Sequence, residues 1–489
     1  MVRDMDVYNK VIKHYKQITL INHITGLLDW DMNVNLPPHG YESRGEQMAY
    51  CAKTKHLLLI DEKFNDLIDE LQGDTSLSER MKSEISFIKH KVEIQKKIPV
   101  ALVEELAILS SIATGKWEQA KETGDDSDYL PVLNTIFTLT REYAQCKGFV
   151  NDPYNALLDD YDRGLTYSIV ESLFSTVKEK TLTILNTRKI ENNNYNWEDV
   201  SVANQKIISD RIIDFLGIDR NKLILSESTH PFTATVGNGD VRITTAYTEN
   251  DFLSSIYSTL HEAGHALYEL GVQKEFGDSP CGDIVSLSLH ESQSRFYENC
   301  IGRSRSFIEF FFPIIKEVCN DQFASISVDQ FYAAVNKISD TPIRIESDEI
   351  NYNLHIILRT KIERDLINKT IDVTDINEIW NKEFYDMFNK KIIDKRSGYL
   401  QDIHWAGGGI GYFPTYTMGN IIATQFAKLL NDETGVLNKP FSKQSFTTIS
   451  GWFQNRLYRY GNTLTSFDLV TKVTGNAIDP LPLIHYLSR

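Results

Sequence analysis

The sequence predicts a mainly α-helical fold with one small β-sheet, built as one unit over residues 1–489 or as two lobes around a cleft. Apolar residues recur at helical spacing along most of the chain. β-Branched alternation is confined to one stretch. No repeat, low-complexity tract or Pro/Gly/Ser linker divides the 489 residues.

Taken in order, Asp6 to Leu28 carries apolar residues at helical spacing, and Leu36-Pro37-Pro38-His39-Gly40 is a turn between helices. Ser78 to Ile98 repeats the pattern. Pro99 sits where it opens a further helix from Val100 to about Glu122, because its missing N–H costs nothing in a first turn. Helices are also predicted from Tyr167 to about Lys189 and from Val200 to Leu216. His230 to Tyr247 differs, with alternating β-branched residues around Gly237-Asn238-Gly239, which is a hairpin signal. A helix follows from Glu249 to Gly271, and later ones from Tyr352 to Asn368 and from Thr374 to Asn389. The aromatic run Phe307-Ile308-Glu309-Phe310-Phe311-Phe312-Pro313 is short and charged, and reads as core.

The bulk composition narrows the function classes. Lys and Arg number 51 against 67 Asp and Glu, a net charge of −16. With no dense basic run, a nucleic-acid surface is not expected, since neutralising phosphates requires clustered cations. The N-terminus lacks an apolar signal core and no apolar run reaches the length of a bilayer span, so no membrane partner is expected. The five cysteines (Cys51, Cys146, Cys281, Cys300, Cys319) are scattered and odd in number, with no CxxC pair. A disulfide framework is not expected, and a cytoplasmic location is the expectation.

The chemistry concentrates in His261-Glu262-Ala263-Gly264-His265. Residues four apart share one helix face, so His261 and His265 can bind one metal ion, with Glu262 beside its water. Chance would place this pattern in a chain of this length about 2 times in 100. Phe252, Leu253, Ile256, Leu260, Ala266 and Leu267 surround it, so the helix is expected to be buried. Three polar groups there would be costly without a purpose. A catalytic zinc keeps three protein ligands and one open position. Glu291, 26 residues after His265 at the start of a predicted helix, is the leading candidate for the third ligand. Glu269, Glu275, Asp283 and Glu298 stay open on spacing alone. One divalent ion per chain is expected, zinc first, with cobalt or manganese compatible with the same N/O donors.

Beyond this motif the sequence resembles the carboxypeptidase Taq family, metallocarboxypeptidases also called thermostable carboxypeptidase 1. His230-Pro231-Phe232 matches the family's HPF, and Asp240-Val241-Arg242-Ile243-Thr244 its DxRxT. His290-Glu291-Ser292-Gln293 follows the HExxH. Ile343-Arg344-Ile345-Glu346-Ser347-Asp348 matches its arginine motif, and Gly398-Tyr399-Leu400-Gln401-Asp402-Ile403-His404-Trp405 its GxxQDxHW, with Gly411-Tyr412-Phe413-Pro414-Thr415-Tyr416 after it. Weaker similarity reaches Trp30-Asp31 and Ala156-Leu157-Leu158-Asp159-Asp160-Tyr161. Two departures stand out: Ala246 replaces a common arginine, and Ser339-Asp340-Thr341-Pro342 displaces a proline.

The resemblance implies a helical fold similar to neurolysin and angiotensin-converting enzyme, with a deep groove. It implies Glu291 as third ligand, release of single C-terminal residues from peptide substrates with broad specificity, and a homodimer. Glu262 is then the general base. His404 and Tyr412 are the expected oxyanion donors, from the related helical peptidases. An exopeptidase must bind a free carboxylate, which arginine does best, so Arg344 is the expected receptor. An ion pair with Glu346 or Asp348 is its alternative. Gln401 is expected to assist it. His230 is a candidate for the substrate backbone, with capping of the strand as its alternative, and Arg242 is expected to pair with Asp240. Gly407-Gly408-Gly409 suggests a loop that lets Tyr412 move.

Overall fold

The computed structural model describes residues 2–187, 199–320, 322–339 and 341–489. Among these residues it has nineteen α-helices against one three-stranded sheet, so the mainly helical prediction holds. The first helix runs longer than expected, Val2–Val34, and Ser78 caps Glu79–Gln95 through its hydroxyl. Pro99 stands immediately before Val100–Thr123. The helix predicted to reach Lys189 spans Tyr167–Thr187, and Lys189 lies outside the described residues. Val202–Leu216, Glu349–Ile367 and Ile376–Phe388 fall within a few residues of expectation. Pro313 lies inside the Arg305–Val318 helix, where Phe307, Phe311 and Phe312 are buried.

The predicted hairpin is strands β2 (Thr233–Gly237) and β3 (Asp240–Thr245), turning at Gly239 with φ 77° and bulged between Thr235 and Gly237. A further strand, β1 (Leu223–Glu227), was not predicted. It pairs parallel with β3, giving the order β1-β3-β2. Val241 and Ile243 bury one face of β3 against the core that includes the Phe252–Phe276 helix. Arg242 points to the other face. There it pairs with Asp240 at 3.1 Å, as expected, and lies 4.4 Å over the Trp30 ring. The Val2–Val34 helix crosses β2 so closely that a Cβ on Gly26 would sit 2.9 Å from the Thr235 carbonyl oxygen.

The core divides into two large clusters that meet along Pro414–Thr434, a helix buried on most of its faces. Met418 and Ile421 belong to one cluster, and Ile422, Phe426 and Leu430 to the other. A third, smaller cluster (Val7, Val11, Tyr15, Phe64, Ile88) holds the N-terminal helices together. Between those helices and the Phe252–Phe276 helix lies a cleft of about 1000 Å³, bordered by Lys55, Lys91, Tyr161, Thr235, Glu269 and Asp283. Among the described residues no single helix is long and apolar enough to cross a membrane. All five cysteines are free.

Candidate metal centre and active site

The HExxH residues lie in the middle of Phe252–Phe276, whose first turn is capped by Asp251. This helix needs Gly264 to reach its neighbour, Leu287–Arg295. A Cβ at 264 would stand 2.6 Å from the Gln293 carbonyl oxygen and 2.7 Å from Ser294 Cα. On the opposite side Gly419 of Pro414–Thr434 meets Glu291, where a Cβ would lie 2.6 Å from its Cγ. The Leu287–Arg295 helix that carries Glu291 is therefore pressed between two helices, each of which approaches it through a glycine. Gly264→Ala is expected to push the first two helices apart, costing about 1–3 kcal/mol and weakening metal retention. Calorimetry and metal analysis check this; unchanged melting and metal content would mean that the close approach does not matter.

This packing brings His261, His265 and Glu291 together with one donor atom each, all within 4.8 Å of one another. Glu291 Oε2 is 3.7 Å from His261 Nε2 and 3.5 Å from His265 Nε2. Both separations exceed hydrogen-bond length. They suit two edges of a tetrahedron around an ion about 2.0–2.1 Å from each donor, whose edge would be about 3.4 Å. Electrostatics agree. Burial disfavours charge on His261, but Glu291 and Glu298 outweigh it and raise the imidazole to about 9. The cup draws a positive charge, and a metal entering it must displace that proton. Two imidazoles and a carboxylate fit a divalent ion of zinc, cobalt or manganese type.

The competing acids are engaged elsewhere. Glu298 Oε2 accepts from His261 Nδ1 at 2.8 Å, the placement that would fix a metal-binding ring from behind. It lies in the π-helical turn Phe296–Ile301 that follows Leu287–Arg295. Glu269 bonds His290 Nε2 at 3.0 Å, and that imidazole stacks on His265 at 4.0 Å. Asp283 pairs with Lys91, and Glu275 accepts from Gln454. Arg295 steadies Glu291 at Oε1 (2.7 Å) and reaches Glu298 (3.2 Å).

Glu262 is buried, and burial pushes its carboxyl up while His261 and the Thr233 hydroxyl hold it down. Thr233 Oγ1 donates to Glu262 Oε2 at 2.6 Å from strand β2, so the sheet holds this carboxylate. Nothing in the sequence pattern singled out Thr233, a threonine among several in a strand. His230 lies just before β2 and is exposed; its carbonyl accepts the Ser228 hydroxyl.

Arg344 is buried and paired, with neither Glu346 nor Asp348 as partner. Its Nε and Nη2 donate to Asp402 Oδ1 at 2.9 and 2.7 Å, and its Nη1 to the Tyr352 hydroxyl at 2.9 Å. The other Asp402 oxygen takes Arg359 Nε at 2.6 Å. Burial opposes charge on Asp402, but the two guanidiniums hold its carboxyl far below the usual range. Gln401 does not present an open amide. Its Oε1 accepts the Arg344 backbone N–H at 2.8 Å, and its Nε2 donates to the Ser397 and Gly398 carbonyls. Asp348 instead caps the Glu349–Ile367 helix, and Thr341 donates to Glu346. Asp340 lies outside the described residues.

His404 and Tyr412 are brought together, ring centroids 5.5 Å apart, with Tyr416 against both. His404 Nε2 is 3.1 Å from the Tyr416 hydroxyl, and its Nδ1 is buried without a partner among the described residues. Burial, reinforced by Arg344, pushes the His404 imidazole down to about 3, so it stays neutral at ordinary pH. The glycine loop between them is anchored at both ends. The buried Glu363 carboxylate accepts Trp405 Nε1 at 2.7 Å, the Gly411 N–H at 3.1 Å and the Tyr154 hydroxyl at 2.6 Å.

A helical scaffold that gathers two histidines of an HExxH and one glutamate of the following helix defines the class of metallopeptidases. The comparisons give the particular family. The family model described as carboxypeptidase Taq (M32) metallopeptidase matches residues 10–489. The chain is 34% identical over 501 residues to thermostable carboxypeptidase 1 of Thermus thermophilus, covering 99% of this chain and 98% of that one. It is 33% identical over 485 residues to carboxypeptidase 1 of Bacillus subtilis, covering 98% and 96%. A solved structure of Pyrococcus furiosus carboxypeptidase superposes with a TM-score of 0.94 at 32% identity over 98% of each chain. The M32 carboxypeptidase of Deinococcus radiodurans gives 0.94 at 29% identity over 99% and 98%. The chain belongs to the carboxypeptidase Taq (M32) family and is a metallocarboxypeptidase, a peptide hydrolase that uses a divalent metal.

Proposed function

We propose that the chain removes single C-terminal residues from peptides with broad specificity, as one catalytic unit holding one divalent ion, zinc in the first instance. His261, His265 and Glu291 are its ligands. The observation that carries the reading is the convergence of those three donors beside Glu262, at distances that suit a single small cation. When bound, such an ion supplies Lewis acidity toward a water and toward the scissile carbonyl. Glu262 takes the proton of the attacking water and delivers it to the leaving amine. Its hydrogen bond from Thr233 aims one oxygen and leaves the other for the water. His404 and Tyr412 donate to the charge that develops on the carbonyl oxygen. Because His404 is neutral, it gives a hydrogen bond without needing acid. His404→Gln is expected to lower kcat while leaving the acid limb of the pH profile in place. A shift of that limb by more than about 0.5 unit would make His404 a titrating group.

Arg344 receives the substrate carboxylate. Arg344 and Arg359 share Asp402 as their one ion-pair partner among the described residues, in a buried place. A free C-terminus supplies a second anion. Gln401 serves by fixing the Arg344 backbone, and His230, at the exposed entry to β2, meets the substrate chain. Arg344→Ala is expected to raise KM about 100-fold for a free-carboxylate peptide, in line with removing a charged hydrogen-bonding partner, and much less for its C-terminal amide. Steady-state kinetics on the acid and amide pair decide it, and equal effects on both would exclude the carboxylate role. Mass analysis of early products distinguishes release of one residue from release of two. The protein is further read as a cytoplasmic homodimer, which analytical ultracentrifugation tests.

A further inference from the structure

Tyr352 stands between the two arginines of the site, and its hydroxyl accepts from both. Arg295 Nη2 and Arg344 Nη1 each lie 2.9 Å from its oxygen. A guanidinium has donors only, so neither partner can take the tyrosine's own proton. With two hydrogen bonds accepted, the phenol's remaining hydrogen-bonding capacity is that one O–H. Among the described residues no side chain or carbonyl accepts it. The residue is 7% exposed, so bulk water is a poor substitute. A buried donor without an acceptor is a costly arrangement, of the kind found where a ligand completes the site.

A second observation says what ligand. On the Arg344 side, Arg344 and Arg359 share Asp402 as their one ion-pair partner among the described residues, so an anion fits there. On the Arg295 side, Glu291 and Glu298 already satisfy the guanidinium. The anion therefore belongs on the Arg344 side of the hydroxyl. We propose that the Tyr352 hydroxyl is a substrate-binding group that donates to the terminal carboxylate of the peptide, completing with Arg344 a two-residue receptor. This rests on the reading of Arg344 as carboxylate receptor. It adds that the receptor is tied, through Tyr352 and Arg295, to the glutamate that faces the metal position.

The test is Tyr352→Phe, which keeps the ring and removes the hydroxyl. The probes are N-acetyl-leucine and its amide, used as competitive inhibitors of the metal-loaded enzyme. Losing a hydrogen bond to a charged group is expected to weaken the acid about 10- to 100-fold and to leave the amide within about 2-fold, with metal content unchanged. Equal weakening of acid and amide, or loss of metal, would reduce Tyr352 to a support for its two arginines and overturn the proposal. So would an unchanged acid-to-amide ratio. Arg344→Ala measured alongside separates the two ideas. If Arg344→Ala removes the preference for the acid and Tyr352→Phe does not, only the tyrosine assignment fails. If neither removes it, the carboxylate reading of Arg344 fails as well.

Discussion

Glu262→Gln is expected to lower kcat by about 10³-fold, within the range that a general base contributes, while the protein keeps its metal and its fold. Glutamine preserves the size of the side chain, and its amide can still accept from the Thr233 hydroxyl at the position where Glu262 Oε2 now takes that bond. What it loses is the capacity to hold a proton and pass it on. His261, His265 and Glu291 are unchanged, so metal content and melting temperature should match the parent. Turnover of a blocked dipeptide, measured with metal content on the same sample, decides it. Normal turnover in the variant would take the base role from Glu262, and lost metal would make it part of the cup instead.

The second large effect is expected from Glu291→Ala. Even residues that only orient metal ligands cost about 10- to 100-fold in affinity when removed, so deletion of a ligand should exceed 100-fold. The change also strands Arg295, whose Nε loses its partner at 2.7 Å, and opens a void against Gly419. Titration against a metal buffer gives the affinity directly. Full occupancy at unchanged affinity would place the third ligand elsewhere, with Glu269 and Glu298 as the nearest acids to examine.

The legible and illegible parts of this protein divide along a physical line. Helices with one wet face show their period, and so Glu79–Gln95 and Val202–Leu216 were anticipated closely. The two histidines were legible because both belong to one helix, where four residues make one turn. Pro414–Thr434 was not anticipated as a helix. It is buried on most faces, so apolar and small residues replace the alternation that marks an amphipathic helix. Strand β1 escaped because five residues are too few for a pattern, and its parallel pairing with β3 is a tertiary event. The same holds for partners. Arg344 was singled out by type and motif, but that Asp402 and Arg359 hold it, and that Gln401 is spent on backbone groups, depends on the path of three separate segments. Thr233 and Tyr352 carried no signal at all, since each acts through one hydroxyl whose surroundings only the fold supplies.

The Val2–Val34 helix lies far from the HExxH in sequence, yet it presses on the strand that grips Glu262. Gly26 abuts the Thr235 carbonyl and Trp30 covers Arg242, two residues of the sheet on either side of the hairpin. The amino-terminal segment thus acts as an outer splint for Glu262. Trimming it to widen the cleft for bulkier peptides would free β2 to drift, and the expected result is slower proton transfer on every substrate instead of a broader choice among them.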